Sequence, residues 1–341
     1  MPKKSPRIES APATLKECIE YFSDPNRALA YVVAMRWPDG EIACPTCGSH
    51  AVRYISTRRV WQCSESHVRR QFSVKVGTVM EDSPIGLDKW LCAFWLLANC
   101  KNGISSYELA RDLDITQKSA WFVLHRVRLA MQEGSILKLG GEGKEVEIDE
   151  TFIGGKARTM NARQRAKSKV APTDPRSGKP HHRAYTATGK AIVMGMLERG
   201  GKVVTKVVDS RRRRSMLPAI VKHVAPKTEV HTDELGSYKI FGESYSPAAY
   251  EHKVIDHTVA YVDGNIHTNN IENFWSLLKR GLRGTYISVE PFHLFRYLDE
   301  QAFRFNARQG TDQSRFHAVL AMVAGKRLTY KQLTGIEGAM E

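Results

Sequence analysis

The chain has 341 residues, and its 51 Lys and Arg against 36 Asp and Glu leave a formal net charge of +15. That length allows two or three domains with a large core, and the basic excess suits a polyanionic partner, either nucleic acid or an acidic membrane surface. The most apolar stretch, Trp90–Ala98, is too short to span a bilayer. The start, Met1-Pro-Lys-Lys-Ser-Pro, lacks the apolar segment of a secretion signal, so a soluble cytoplasmic protein is expected.

Residues 1–13 are rich in Pro, Lys and Ser and read as a disordered tail. A short helix is expected over Thr14–Phe22. Asp24 then caps a second helix with Pro25 at its first position, running to about Arg36. The six cysteines are Cys18, Cys44, Cys47, Cys63, Cys92 and Cys100. In a basic chain without a secretion signal, metal binding outranks disulfides. Cys44, Cys47, Cys63 and His67 follow the pattern Cys-x2-Cys-x15-Cys-x3-His. Two close ligand pairs separated by a hairpin's length suit one structural tetrahedral zinc per chain. A region of N-terminal helices and zinc ribbon is therefore expected over 14–80.

Leu87–Cys100 has helical composition. Ser105 and Glu108 form a capping box that opens a helix to about Leu113, and Thr116 caps another from Gln117 to about Met131. This is helix-turn-helix spacing within 85–135, with Gln117, Lys118 and Arg126 expected to reach DNA. After the Gly140–Gly143 linker, strands are expected at Glu145–Asp149, Ala191–Glu198, Lys202–Val208, Glu229–Thr232 and Lys253–Asp256. The turn Arg199-Gly200-Gly201 joins the second strand to the third. A helix at Ser215–Val224 crosses over, and long helices follow at Asn270–Arg283 and Pro291–Phe305. This describes a mixed α/β sheet flanked by helices. Gly154–Gly189 reads as a basic loop, and the run Arg211–Arg214, with Arg211 and Arg212 foremost, as added affinity for a nucleic-acid backbone.

The helix after His267 carries Ile271, Phe274, Trp275 and Leu278 at helical spacing as its inward face, so Trp275, like Trp61, reads as a packing residue. Glu272 and Lys279 lie two turns apart on one side. Asp149 and Asp233 each end a strand-like run. Two strand-end carboxylates and one helix carboxylate are the donors that a pair of Mg²⁺ ions takes for phosphoryl transfer.

Three blocks, Asp149-Glu-Thr-Phe-Ile-Gly-Gly, His231-Thr-Asp-Glu-Leu-Gly-Ser-Tyr and His267-Thr-Asn-Asn-Ile-Glu-Asn-Phe-Trp-Ser-Leu-Leu-Lys-Arg, resemble the signature blocks of a bacterial insertion-sequence DDE transposase family. The closing run Tyr297–Arg308 is similar too, and the likeness spans roughly 15–310. The resemblance implies an N-terminal zinc ribbon and a ribonuclease H-like catalytic domain, which takes 143–310, and a C-terminal helical tail is expected at 311–341. It implies Asp149 and Asp233 as the first two metal ligands. The third is Glu272, Asn269 or Asn270, and Glu272 is preferred because a carboxylate binds Mg²⁺ better than an amide. Lys279 would hold a phosphate, with Arg280 beside it on the DNA. The implied partners are the element's terminal inverted repeats and target DNA, engaged at the nucleoid by a homo-oligomer. Two other readings share many of these features: a DNA-binding regulator with an inactive sheet domain, and a nuclease that only hydrolyses.

Overall fold

The computed structural model describes residues 12–132, 138–154, 190–233, 238, 250–255 and 268–335. The expected basic loop after Gly154, most of the N-terminal tail and His267 lie outside the described residues. The chain divides into two compact units: residues 1–132 with 307–341, and residues 133–306. Among the described residues, no helix is long and apolar enough to cross a membrane.

In the first unit, α1 (Leu15–Phe22) is capped by the Thr14 side chain and α2 (Pro25–Arg36) by Asp24. A small antiparallel sheet follows, β1 (Val52–Ile55), β2 (Val60–Cys63) and β3 (Gln71–Phe72), in the order β1-β2-β3. Then come α3 (Leu87–Asn99), α4 (Ser106–Asp112) and α5 (Gln117–Met131). The Ser105 and Thr116 side chains accept the expected N-cap bonds from Glu108 and Ser119. The C-terminal segment is not the separate helical tail expected. Phe316 of α9 (Asp312–Ala321) packs 5.2 Å from Trp95 and 6.0 Å from both Phe22 and Tyr31, measured between ring centroids. Burying that aromatic cluster holds the end of the chain in the first unit. The short α10 (Tyr330–Thr334) belongs to the same unit.

The second unit holds a five-stranded mixed sheet of order β6-β5-β4-β7-β8. Its strands are β4 (Glu145–Ile153), β5 (Ala191–Glu198), β6 (Val203–Val208), β7 (Glu229–Asp233) and β8 (Glu251–Ile255). β4 pairs antiparallel with β5 and β5 with β6, whereas β7 joins parallel to β4, after the crossover helix α6 (Arg213–His223), and β8 parallel to β7. This is the expected ribonuclease H-like arrangement. One face carries Val146, Ile148, Met194, Met196 and Val230 against Met216 and Ile220 of α6. The other carries Val193 and Leu197 against α7 (Asn269–Gly284) and α8 (Leu294–Asn306).

β4 is the central strand and is covered on both faces, yet it alternates Glu145, Val146, Glu147, Ile148 and Asp149. Its acids therefore point toward α7. Glu147 is fully buried there, where the Asn270 side-chain amide donates to its Oε1 at 2.7 Å and the Ile271 backbone N–H to its Oε2 at 3.0 Å. Arg199 Nε also donates to Oε1, at 2.9 Å. The carboxylate thus meets the free N–H groups and positive dipole end of α7 and sets where that helix begins. Replacing Glu147 with Ala should destabilise the second unit by about 3–5 kcal/mol, the usual cost of breaking a buried charge pair from one side. Chemical denaturation of the intact protein checks this. An unchanged midpoint would mean that α7 is placed by its apolar face alone.

Candidate active site

The last residue of β7 extends the parallel register Ile148↔Thr232 by one step, so Asp233 sits beside Asp149. Neighbouring strands lie about 4.8 Å apart. Glu272 is in the first turn of α7, where the Thr268 hydroxyl donates to its Oε1 at 3.2 Å. Asp149, Glu272 and Lys279 line one cleft of about 620 Å³ together with Glu150, Thr151, Trp275, Ser276, Arg280 and Arg283. The strand contributes acids, and the later turns of α7 contribute bases.

Burial raises the Asp149 carboxyl to about 6, and repulsion from Asp233 and Glu272 adds to the shift. Bonds from the Glu150 backbone and the Trp275 indole act against it. Oxygen donors of like charge that destabilise one another suit a hard divalent cation such as Mg²⁺. Burial, then Arg283, lower the Lys279 ammonium from its usual range. Of the two asparagines expected as alternative third donors, Asn270 donates its side-chain amide to Glu147, and Asn269 is exposed.

Several residues of the site carry no clear signal in the sequence. Glu150 follows Asp149 and so turns to the opposite face of β4. Burial pushes its carboxyl up to about 7, and it accepts a 2.9 Å bond from the Tyr238 hydroxyl. Arg211 lies 3.6 Å from Glu150 and stacks over Phe152, so its charge has an acidic partner, while Arg212 is exposed at the N-cap of α6. A second cluster, Glu145, Glu229 and His231, also brings three donor atoms together. There Arg199 pairs with Glu145 and Lys253 with Glu229, so resident cations already neutralise both carboxylates.

In the first unit, the donor atoms of Cys44, Cys47, Cys63 and His67 lie within 4.8 Å of one another. Cys47 Sγ is 3.7 Å from Cys63 Sγ, and Cys44 Sγ is 3.5 Å from His67 Nε2. Gly48 closes the Cys44–Cys47 turn with φ +76°, donating to the Cys44 carbonyl at 2.8 Å, and glycine meets that left-handed demand without strain. His67 Nδ1 lies 2.9 Å from the Val68 carbonyl, which favours the Nδ1–H tautomer and directs Nε2 at the thiols. Burial raises the Cys44 thiol, but N–H bonds from Cys47 and Thr46 help bring it down to about 7. A Cys3His set with a thiol already inclined to ionise fits structural zinc.

In the helix pair, Lys118 is exposed and its ammonium lies over Tyr330, while the Gln117 amide donates to the Ser106 hydroxyl at 2.9 Å. Both are on the first turn of α5. Arg126 departs from expectation. It is 5% exposed, donates to the Glu81 carbonyl at 2.7 Å and the Leu328 carbonyl at 3.2 Å, and stacks over Phe122. It is a strut inside the unit rather than a group free to meet DNA, because α5 is buried throughout residues 123–131.

Two family models and one relative match this chain. A family described as the ISXO2-like transposase domain matches residues 138–306. A transposase zinc-ribbon domain matches residues 23–67. A protein of Halobacterium salinarum (strain ATCC 700922 / JCM 11081 / NRC-1), described as an uncharacterized protein in transposable element ISH50, is 26% identical over 271 residues, which cover 77% of this chain and 85% of that protein.

The two basic residues of α5 should separate in experiment. Arg126→Ala should cost about 2–3 kcal/mol of stability, since it strips buried carbonyls of a charged donor, and leave the DNA affinity of the folded protein unchanged. Lys118→Ala should do the reverse, weakening DNA binding without moving the melting temperature. Thermal melts and fluorescence anisotropy on both variants check the pair, and weakened DNA binding by folded Arg126→Ala would contradict the burial argument.

Proposed function

We propose, from the premise that the chain belongs to the ISXO2-like transposase family through residues 138–306, that it cuts the ends of an insertion sequence and joins them to target DNA. The observation that carries this reading is one cleft with Asp149 and Glu272 at its acidic end and Lys279, Arg280 and Arg283 along its basic side. Asp233, one strand over, completes the acid set. An acidic pocket beside a basic ridge accepts a divalent cation and a phosphodiester together.

Asp149, Asp233 and Glu272 would hold a pair of Mg²⁺ ions, which when bound supply Lewis-acid stabilisation of charge building on phosphoryl oxygens. Lys279 holds a non-bridging phosphate oxygen as a point charge. Arg280 and Arg283 continue along the same helix and grip the flanking backbone. In the first step water attacks the phosphodiester at the element end and the 3′-oxygen leaves, taking up a proton. In the second the freed 3′-hydroxyl gives up its proton and attacks a target phosphodiester. The ribbon, with Cys44, Cys47, Cys63 and His67 on one zinc, and the first turn of α5 are the groups proposed to recognise the element end. Phosphate contacts of this kind make affinity fall steeply with salt.

Incubation with an element-end duplex, a supercoiled target plasmid and Mg²⁺ tests the reading. Joined products should form with the native protein. Asp149→Asn, Asp233→Asn and Glu272→Gln should each reduce them by roughly a hundred- to a thousandfold, the scale seen when one transition-state contact is removed, with DNA binding intact. Cleavage without joining would leave a hydrolytic nuclease, and neither would leave a DNA-binding regulator. If Asn269→Ala removes activity while Glu272→Gln does not, the third donor is the amide.

A further inference from the structure

We infer that Trp275, seated by Gly195, is a positioning residue for the Asp149 carboxylate and so governs how well the cleft holds its divalent cation. The inference rests on the proposed role of Asp149. Trp275 is 4% exposed within the apolar cluster of α7, and its Nε1–H donates to Asp149 Oδ2 at 2.9 Å. A buried indole N–H needs an acceptor, and this one uses the carboxylate at the cleft. The bond occupies one lone pair of Oδ2 and restricts rotation of the carboxylate. In metal sites, partners of this kind orient the ligand and commonly change metal affinity by about 10–100-fold.

Gly195 supplies a second, independent observation. It lies directly across from Asp149 in the β4–β5 pairing. A Cβ on Gly195 would fall 2.6 Å from Trp275 Cζ2, 2.7 Å from Trp275 Cη2 and 2.7 Å from Ile271 Cδ1. Two of these are atoms of a rigid ring, and the third is the terminal methyl of the fully buried Ile271. Nothing in its backbone angles asks for glycine here, and glycine weakens a strand interior. Its place is explained by the indole, whose Cζ2 and Cη2 occupy the space a Cβ would take while its N–H reaches Asp149.

The test uses the full-length, zinc-loaded protein and measures Mn²⁺ binding by the electron paramagnetic resonance signal of free Mn²⁺, with thermal melting alongside. Trp275→Phe, which loses the donor, should weaken Mn²⁺ binding about tenfold or more. Gly195→Ala should weaken it in the same way, and the double variant should be no weaker than the poorer single. Replacing Trp275 with 3-benzothienylalanine keeps the ring's shape and removes only the N–H. It should match Trp275→Phe in affinity while melting like the native protein, and it decides the matter if the Phe variant does not fold. If Asp149→Asn loses Mn²⁺ while the benzothienyl variant binds within about twofold of native, Trp275 only packs and the inference falls, leaving the metal reading standing. If Asp149→Asn binds Mn²⁺ like the native protein, the metal reading itself fails and the inference with it.

Discussion

The buried carboxylate of Glu147 is the constraint on which the cleft depends. An ion in the middle of a sheet covered on both faces costs several kcal/mol to desolvate. Here the cost is offset by Arg199, the Asn270 amide and the first free N–H groups of α7. Because these partners come from a strand-turn junction and a helix terminus, satisfying the charge also fixes the geometry. α7 must start over β4 at Asn270 and Ile271, which leaves Glu272 at the mouth and brings Lys279 past the end of the strand two turns later. The apolar residues Ile271, Phe274, Trp275 and Leu278 then close the helix onto β5.

The same helix separates two electrostatic tasks. Its first turn presents Glu272 in the cleft with Asp149 of β4, and its later turns present Lys279, Arg280 and Arg283 there. Burial first, then repulsion from Asp233 and Glu272, raises the Asp149 carboxyl, and a cation relieves that repulsion. The Glu145, Glu229 and His231 cluster differs in kind, since Arg199 and Lys253 already supply its positive charge. Among the described residues its donor atoms lie within 4.8 Å of one another, closer than those of Asp149, Asp233 and Glu272, but its cations are built into the fold.

The mixed sheet and its acids Asp149 and Asp233 are legible in the sequence because short apolar runs ending in Asp, a Gly-Gly turn and an amphipathic helix are local patterns, but β4 runs on to Ile153, so Asp149 lies mid-strand rather than at the strand end expected. The ribbon ligands are legible for the same reason, as spacing alone brings them out. Glu147 is not, because alternation from Glu145 to Asp149 reads as a strand with one wet face, whereas α7 covers that face. Arg126 misleads because a helical pattern of charge looks solvent-facing until the C-terminal segment, some 200 residues away, supplies the Leu328 carbonyl. The docking of Phe316 on Phe22 is likewise a long-range contact with no local signal. Trp275 is foreseen as a packing residue, and periodicity cannot say where its N–H points.

The most direct measurement of the central claim, that Asp149, Asp233 and Glu272 form one cation site, is anomalous diffraction from crystals of the full-length protein soaked in Mn²⁺. The account predicts anomalous density bounded by carboxylate oxygens of all three residues, at the roughly 2.0–2.2 Å distances that small divalent ions take with oxygen. Density at Glu145, Glu229 and His231 instead, or an ion held by Asp149 and Asp233 with Asn269 as the third ligand, would contradict it.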